Sequence, residues 1–121
     1  QAVVGTKRRI HPATRTFQAI RIVVNQELDS VDLALGRSLD LLASGGRLVV
    51  ITYQSLEAKI VKSFLRRQAG HCVCPPAMPV CTCEPLCRMR RVTKKAIAPS
   101  KEEYLINRRC RTARLRAGER V

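Results

Sequence analysis

"SGGRLVVITYQSLEAKIVKSFLR" (Ser44–Arg66) runs from a glycine pair through an apolar run and a short polar loop into a helical pattern. "RLVVITY" (Arg47–Tyr53) is β-branched and apolar enough to predict a strand buried on both faces, as in a parallel sheet. Ser55 is expected to cap a helix over Leu56–Arg67, with Glu57 near its positive end and Leu56, Ile60, Val61, Phe64 and Leu65 on its inner face. Gly45 or Gly46 can take the left-handed conformation that closes a preceding helix. Helix, glycine turn, strand, loop and helix in series make an α/β unit that needs partner strands to cover it.

Upstream, Phe17, Ile20, Val24, Leu28, Val31, Leu35, Leu39 and Leu42 recur at steps of three and four along one helical face. Asn25 offers an N-cap and Glu27 a favourable charge, so two helices meeting near Asn25 and one long helix both fit the pattern, with Pro12 in the first turn. Downstream, "GHCVCPPAMPVCTCEPLC" (Gly70–Cys87) is too rich in Cys and Pro for a helix or a central strand and reads as an excursion. Ser100 and Glu103 suggest a capping box for a short helix. "RTARLRAGER" (Arg111–Arg120) alternates with a period of two and predicts a terminal strand with one basic face.

A chain of 121 residues, 45% of them hydrophobic, suits one modest domain. Twenty-three Lys and Arg against nine Asp and Glu give a formal charge of +14, a field that attracts polyanions, and nucleic acid is the default partner. A solvated basic surface with no specific ligand is the bland alternative. The aromatic residues are Phe17, Tyr53, Phe64 and Tyr104, so phosphate contacts are better supported than a stacking platform. No apolar run approaches the roughly 20 residues that span a bilayer, and the chain reads as soluble and cytoplasmic. It opens on Gln1 without the apolar centre of a secretory signal, so it is expected to begin inside a longer protein.

Cys72, Cys74, Cys81 and Cys83 form two Cys-x-Cys pairs across a Pro-containing loop and could complete a tetrahedral zinc site, with Cys87 and His71 as substitutes. Unligated thiols explain them almost as well. Cys110 stands apart as a small core residue. Lys59, Lys62 and Arg66 lie at helical spacing, a positive stripe suited to phosphates or simply a solvated face. Arg15 and Gln18 share a face of the first helix and could approach RNA or a cofactor carboxylate. Tyr53, Gln54, Ser55 and Glu57 leave the carboxyl end of the predicted strand, where open α/β sheets place their ligands. No glycine-rich phosphate cradle, Ser/His/Asp ordering or His-rich metal triad is present, so the chain carries no complete catalytic site.

"IHPATRTFQAIRIVVNQEL" (Ile10–Leu28), Ser44–Arg66, "TKKAIAPSKEE" (Thr93–Glu103) and "NRRCRTARLRAGER" (Asn107–Arg120), in this order, resemble the C-terminal part of the bacterial 16S ribosomal RNA N4-cytosine methyltransferase family. The resemblance covers nearly the whole chain. It implies the C-terminal portion of a Rossmann-like class I methyltransferase fold, with a helical insertion for RNA recognition and S-adenosylmethionine as methyl donor. On that reading residues 1–10 end the insertion, 11–69 carry a helix-strand-helix part of the catalytic domain, 70–87 form the Cys-rich loop and 88–121 complete the domain. The cofactor-binding residues are expected upstream, with none in this chain, and the isolated chain is expected to be inactive.

Two departures accompany the resemblance. Tyr53-Gln54-Ser55 stands where the family usually has Phe-His-Ser, which removes a titratable imidazole, and Arg108 stands where the family commonly has Pro. From their positions, Ser55 and Gln54 are expected to hydrogen-bond the edge of the target base, and Arg15, Lys59 and Lys62 to hold flanking phosphates of the small ribosomal subunit. A self-sufficient basic RNA-binding module, stabilised by zinc, is the reading from a different class, and a remnant without activity is a third.

Overall fold

The computed structural model describes residues 13–72, 74, 80–82 and 86–121. Pro12, Cys83 and the segment 1–10 lie outside the described residues. The elements follow as α1 (Ala13–Asn25), α2 (Glu27–Leu41), β1 (Arg47–Thr52), α3 (Ser55–Gln68), β2 (Met89–Arg91), α4 (Lys101–Ile106), a 3₁₀ turn (Arg108–Thr112) and β3 (Arg114–Arg120).

The long helical pattern is two helices. Gln26 separates them in the left-handed region (φ 49°), and Asn25 is the last residue of α1 rather than the cap of α2. A non-glycine residue at positive φ turns the chain where a continuous helix would have run on. Glu27 and Asp29 then lie in the first turn of α2, where the helix dipole favours negative charge.

The glycines act later than expected. α2 already ends at Leu41, with Leu42 extended as its C-cap, and Gly45 (φ 79°) serves the turn into β1 instead. In that turn the Gly46 N–H donates to Ala43 O at 2.9 Å and the Gly45 N–H to Arg120 O at 2.8 Å. The end of α2 is closed from the far end of the sequence, because the Arg120 guanidinium donates to the carbonyls of Leu39 and Leu42.

The three strands form one antiparallel sheet in the order β1-β3-β2. Arg47 faces Glu119 and Thr52 faces Arg114 across β1 and β3, and Met89 faces Arg120 across β2 and β3. This corrects the two-sided burial expected of β1. Its burial alternates: Leu48 and Val50 pack on the core, whereas Val49 and Ile51 are 55% and 53% exposed on the other face. β3 is the expected terminal strand, but it sits at the centre of the sheet. β2 was hidden in a stretch whose basic residues carry no alternating pattern.

The core lies between the sheet and helices α2 and α3, built from Leu35, Leu39, Val61, Leu65 and Met89, with Val31, Ile60 and Phe64 around it. Leu56, expected on the inner face of α3, is largely exposed at the first turn. Gly118 permits the close approach of helix and sheet, since a Cβ there would meet Leu65 Cδ2 at 2.9 Å and Met89 Cε at 3.0 Å. Ser100 caps α4 as expected, its hydroxyl accepting from the Glu103 N–H at 3.1 Å. Cys110 is buried, and burial, helped by the nearby Glu103 charge, pushes its thiol pKa up.

Candidate functional site

β1 delivers the chain at Thr52 into a two-residue connection, Tyr53–Gln54, and α3 starts at once. The N-cap is Gln54, with Ser55 as the first helical residue, so the capping role expected of Ser55 passes one residue upstream. The Gln54 side chain accepts from the N–H at Glu57, and Glu57 Oε2 accepts from the N–H groups of Tyr53 and Gln54 at 3.2 Å each. A glutamine can close such a box because its carboxamide oxygen reaches the third helical N–H as a serine hydroxyl would. The connection is thereby held rigid, and Ser55 is left exposed at its rim.

The same carboxamide ties three elements together. Gln18 Nε2, on α1, donates to Gln54 Oε1 at 2.8 Å, and Gln54 Nε2 donates to Glu27 Oε2, at the start of α2, at 3.4 Å. Arg21 Nε lies 2.8 Å from Glu27 Oε1, and Asn25 Nδ2 donates to the same oxygen at 3.4 Å. Partial desolvation disfavours the Glu27 charge, but the hydrogen bonds from Arg21, Asn25 and Gln54 and the Arg21 charge outweigh it and hold its carboxyl below the ordinary range. The result is a polar wall of amide, carboxylate and hydroxyl groups at the carboxyl end of β1. Such a wall orients a hydrogen-bonding ligand. It has no imidazole, so it offers no proton acceptor tuned to neutral pH.

The structure thus brings Gln18, Gln54 and Ser55 to one place and adds Arg21, Glu27 and Glu57, whose roles the linear sequence concealed. The spacing Gln54-x-x-Glu57 was the readable signal of the capping box; the Arg21–Glu27 pair spans the helix break and follows no helical spacing. Arg15 is exposed on α1, one turn before Gln18. The basic residues of α3 divide. Lys59 borders a groove of about 560 Å³ between α2 and α3 together with Asp32, Phe64, Arg67 and Gln68, Lys62 is exposed, and Arg66 donates to Cys72 O at 3.2 Å.

The sulfurs of Cys72, Cys74 and Cys81 lie within 4.8 Å of one another and could hold a metal ion. Cys87 and His71 do not join them. Among the described residues no helix is long and apolar enough to cross a membrane. No glycine turn carries a described strand into a helix, because the connections from β1 to α3 (Tyr53–Gln54) and from β2 to α4 (Val92–Ser100) both lack glycine. These residues do not form a nucleotide cradle.

Curated relatives are close in sequence. The chain is 53% identical over 120 residues to ribosomal RNA small subunit methyltransferase H of Thermomicrobium roseum, covering 98% of the chain and 37% of that protein. It is 48% identical over 121 residues to the protein of the same name from Dehalococcoides mccartyi, covering 100% of the chain and 35% of the relative. The Carboxydothermus hydrogenoformans protein of that name is 48% identical over 115 residues, 95% of the chain and 37% of the relative. The chain therefore spans little more than a third of the length of these relatives. The model of the MraW methylase family matches residues 1–121, from end to end, and the chain belongs to that family.

Proposed function

We propose that this chain is the C-terminal part of an S-adenosylmethionine-dependent methyltransferase that methylates N4 of a cytosine in 16S ribosomal RNA in the cytoplasm, with the small ribosomal subunit as its substrate. Family membership supports the methyl transfer, and the relatives' names support ribosomal RNA as the acceptor. The observation that carries the local role is the rigid polar wall of Gln54, Gln18 and Glu27 with Ser55 at its rim. The exposed outer face of β1 and an α1 with no fully buried residue support a larger fold, since Val49, Ile51, Phe17 and Val24 would otherwise stay in water.

S-adenosylmethionine, when bound, supplies an electrophilic methyl group. Among the described residues none forms a cradle for its nucleotide, so the donor site is assigned to residues upstream and no step is derived through it. What this chain supplies is position. The cytosine amine is a weak nucleophile because its lone pair is delocalised into the ring, and holding it in line is worth much of the barrier. Ser55 and the Gln54 carboxamide present a hydroxyl and an amide to the base edge. Gln18 and Glu57 fix the carboxamide, while Arg15, Lys59 and Lys62 take flanking phosphates by charge. Arg66 is engaged with the Cys72 carbonyl and is the weakest member of that set. The amine proton leaves to solvent or to an acceptor other than Gln54, whose carboxamide cannot take it.

The test is methyl transfer by the full-length protein to unmodified small ribosomal subunits. Ser55→Ala is expected to lower turnover by roughly tenfold to a hundredfold with little change in folding; unchanged turnover would sink its role. A zinc-stabilised RNA-binding module is supported by the converging cysteines alone. Specific RNA binding by a folded, monomeric 121-residue chain would favour it.

A further inference from the structure

The segment between α3 and β2 leaves and returns at one point. The His71 N–H donates to Arg66 O at 2.9 Å, and the Arg88 N–H donates to Gln68 O at 2.8 Å, so the two ends of the excursion are fastened to the same turn of α3. Arg66 reaches along the outgoing segment to Cys72 O. Beyond these anchors the cysteines gather: Cys81 Sγ is 3.5 Å from Cys72 Sγ and 3.9 Å from Cys74 Sγ.

Those separations match the spacing of thiolate ligands around one ion. Four ligands around zinc at about 2.3 Å place neighbouring sulfurs about 3.8 Å apart. We propose that Cys72, Cys74 and Cys81 bind one zinc ion as thiolates, and that the ion is a structural staple closing the excursion onto the end of α3. This inference stands apart from the methyl-transfer reading, since none of the three sulfurs belongs to the wall around Gln54.

Chemistry and charge agree with the geometry. Each thiol gives up its proton to solvent as it binds, no electron is transferred, and affinity falls as pH falls. Three thiolates on a divalent ion leave one negative charge, with the basic Arg66, Arg67 and Arg88 at the roots of the excursion to balance it. Among the described residues no other Cys, His, Asp or Glu lies close enough to join the three. Folding supplies the reason for a metal here. A connection of this length costs entropy to order, and a metal closes it without needing a hydrophobic core of its own.

The experiment uses the full-length protein that carries this chain, grown with added zinc and freed of loosely bound metal. Elemental analysis is expected to find one more zinc per protein in the wild type than in Cys81→Ser, with Cys87→Ser keeping the wild-type content. Cobalt(II) added to the metal-free protein should give thiolate-to-metal charge-transfer absorption and the intense visible bands of a tetrahedral site, both lost in Cys72→Ser. Chelation should lower the melting temperature by on the order of 5 °C. A folded wild-type protein, checked by circular dichroism, that takes up neither zinc nor cobalt overturns the proposal. So does equal metal uptake by Cys81→Ser, or free reaction of all three thiols with a thiol reagent in zinc-loaded protein; these readings hold even where a variant is unstable.

Discussion

Glu119 joins the three strands by its carboxylate. It pairs with Arg47 of β1 at 3.0 Å and with Arg90 of β2, so one side chain of the central strand holds both neighbours. Hydrogen bonds from Arg47 and Arg90 hold its carboxyl below the ordinary carboxylate range, with their charges adding to the effect and partial desolvation opposing it. A folded-state pKa below the unfolded one gives stability that is present above the unfolded value and is lost as pH falls through the folded one. Glu119→Gln is therefore expected to reduce stability at pH 7 and to flatten its dependence between about pH 5 and pH 3, read from denaturant midpoints. Parallel pH curves for the two proteins would show that the carboxylate contributes nothing. Little of this was legible from the chain, because Glu119 meets Arg47 and Arg90 only through the register of β3.

At the level of elements, the local signals in the sequence were sound where a short-range rule fixed the outcome. Ser100 with Glu103, the apolar spacing Ile60, Val61, Phe64, Leu65 and the alternation around Leu115 each act within a turn or a strand. The polar Gln54 and Glu57 also belonged to such a rule, but the serine beside them drew the cap to the wrong residue. Expectations failed where a distant partner decides. The glycine pair, Gly45 or Gly46, points to the helix end, yet Arg120 closes that end from β3, and the apolar run predicts two buried faces for β1, yet its described partner is antiparallel. The capping box makes a clear test. Glu57→Ala leaves the N–H groups of Tyr53 and Gln54 without their acceptor and should cost about 1–2 kcal/mol in urea unfolding. A loss below about 0.3 kcal/mol would mean that water replaces the carboxylate at no cost.

On the scale of the whole molecule, charge and apolar surface pull in opposite directions. A formal charge of +14 opposes self-association, but α1 has no buried residue and Phe17, Val23 and Val24 are each more than 70% exposed. Exposed apolar surface of this kind belongs against something else. The isolated 121-residue chain is expected to bind a hydrophobic dye strongly and to self-associate as salt screens its charge, both effects disappearing in the full-length protein. A chain that stays monomeric and dark with the dye at high salt would mean that α1 closes on its own. This separation explains how far the site could be read. The sequence strings pointed to a family and to the loop after β1, while the wall itself depends on α1, α2 and α3 meeting at Gln54.

The position of β3 also sets an order of events during synthesis. β1 and β2 touch each other only through β3, and Arg47 waits for Glu119 before its edge is paired. While residues 47–91 have already emerged from a ribosome, the sheet has no centre, α2 lacks the guanidinium that closes its end, and Leu65 and Met89 lack Gly118 between them. Closure of the sheet and of the end of α2 is therefore expected only once Arg114–Arg120 has cleared the exit, after α2 and α3 are free to pack on each other.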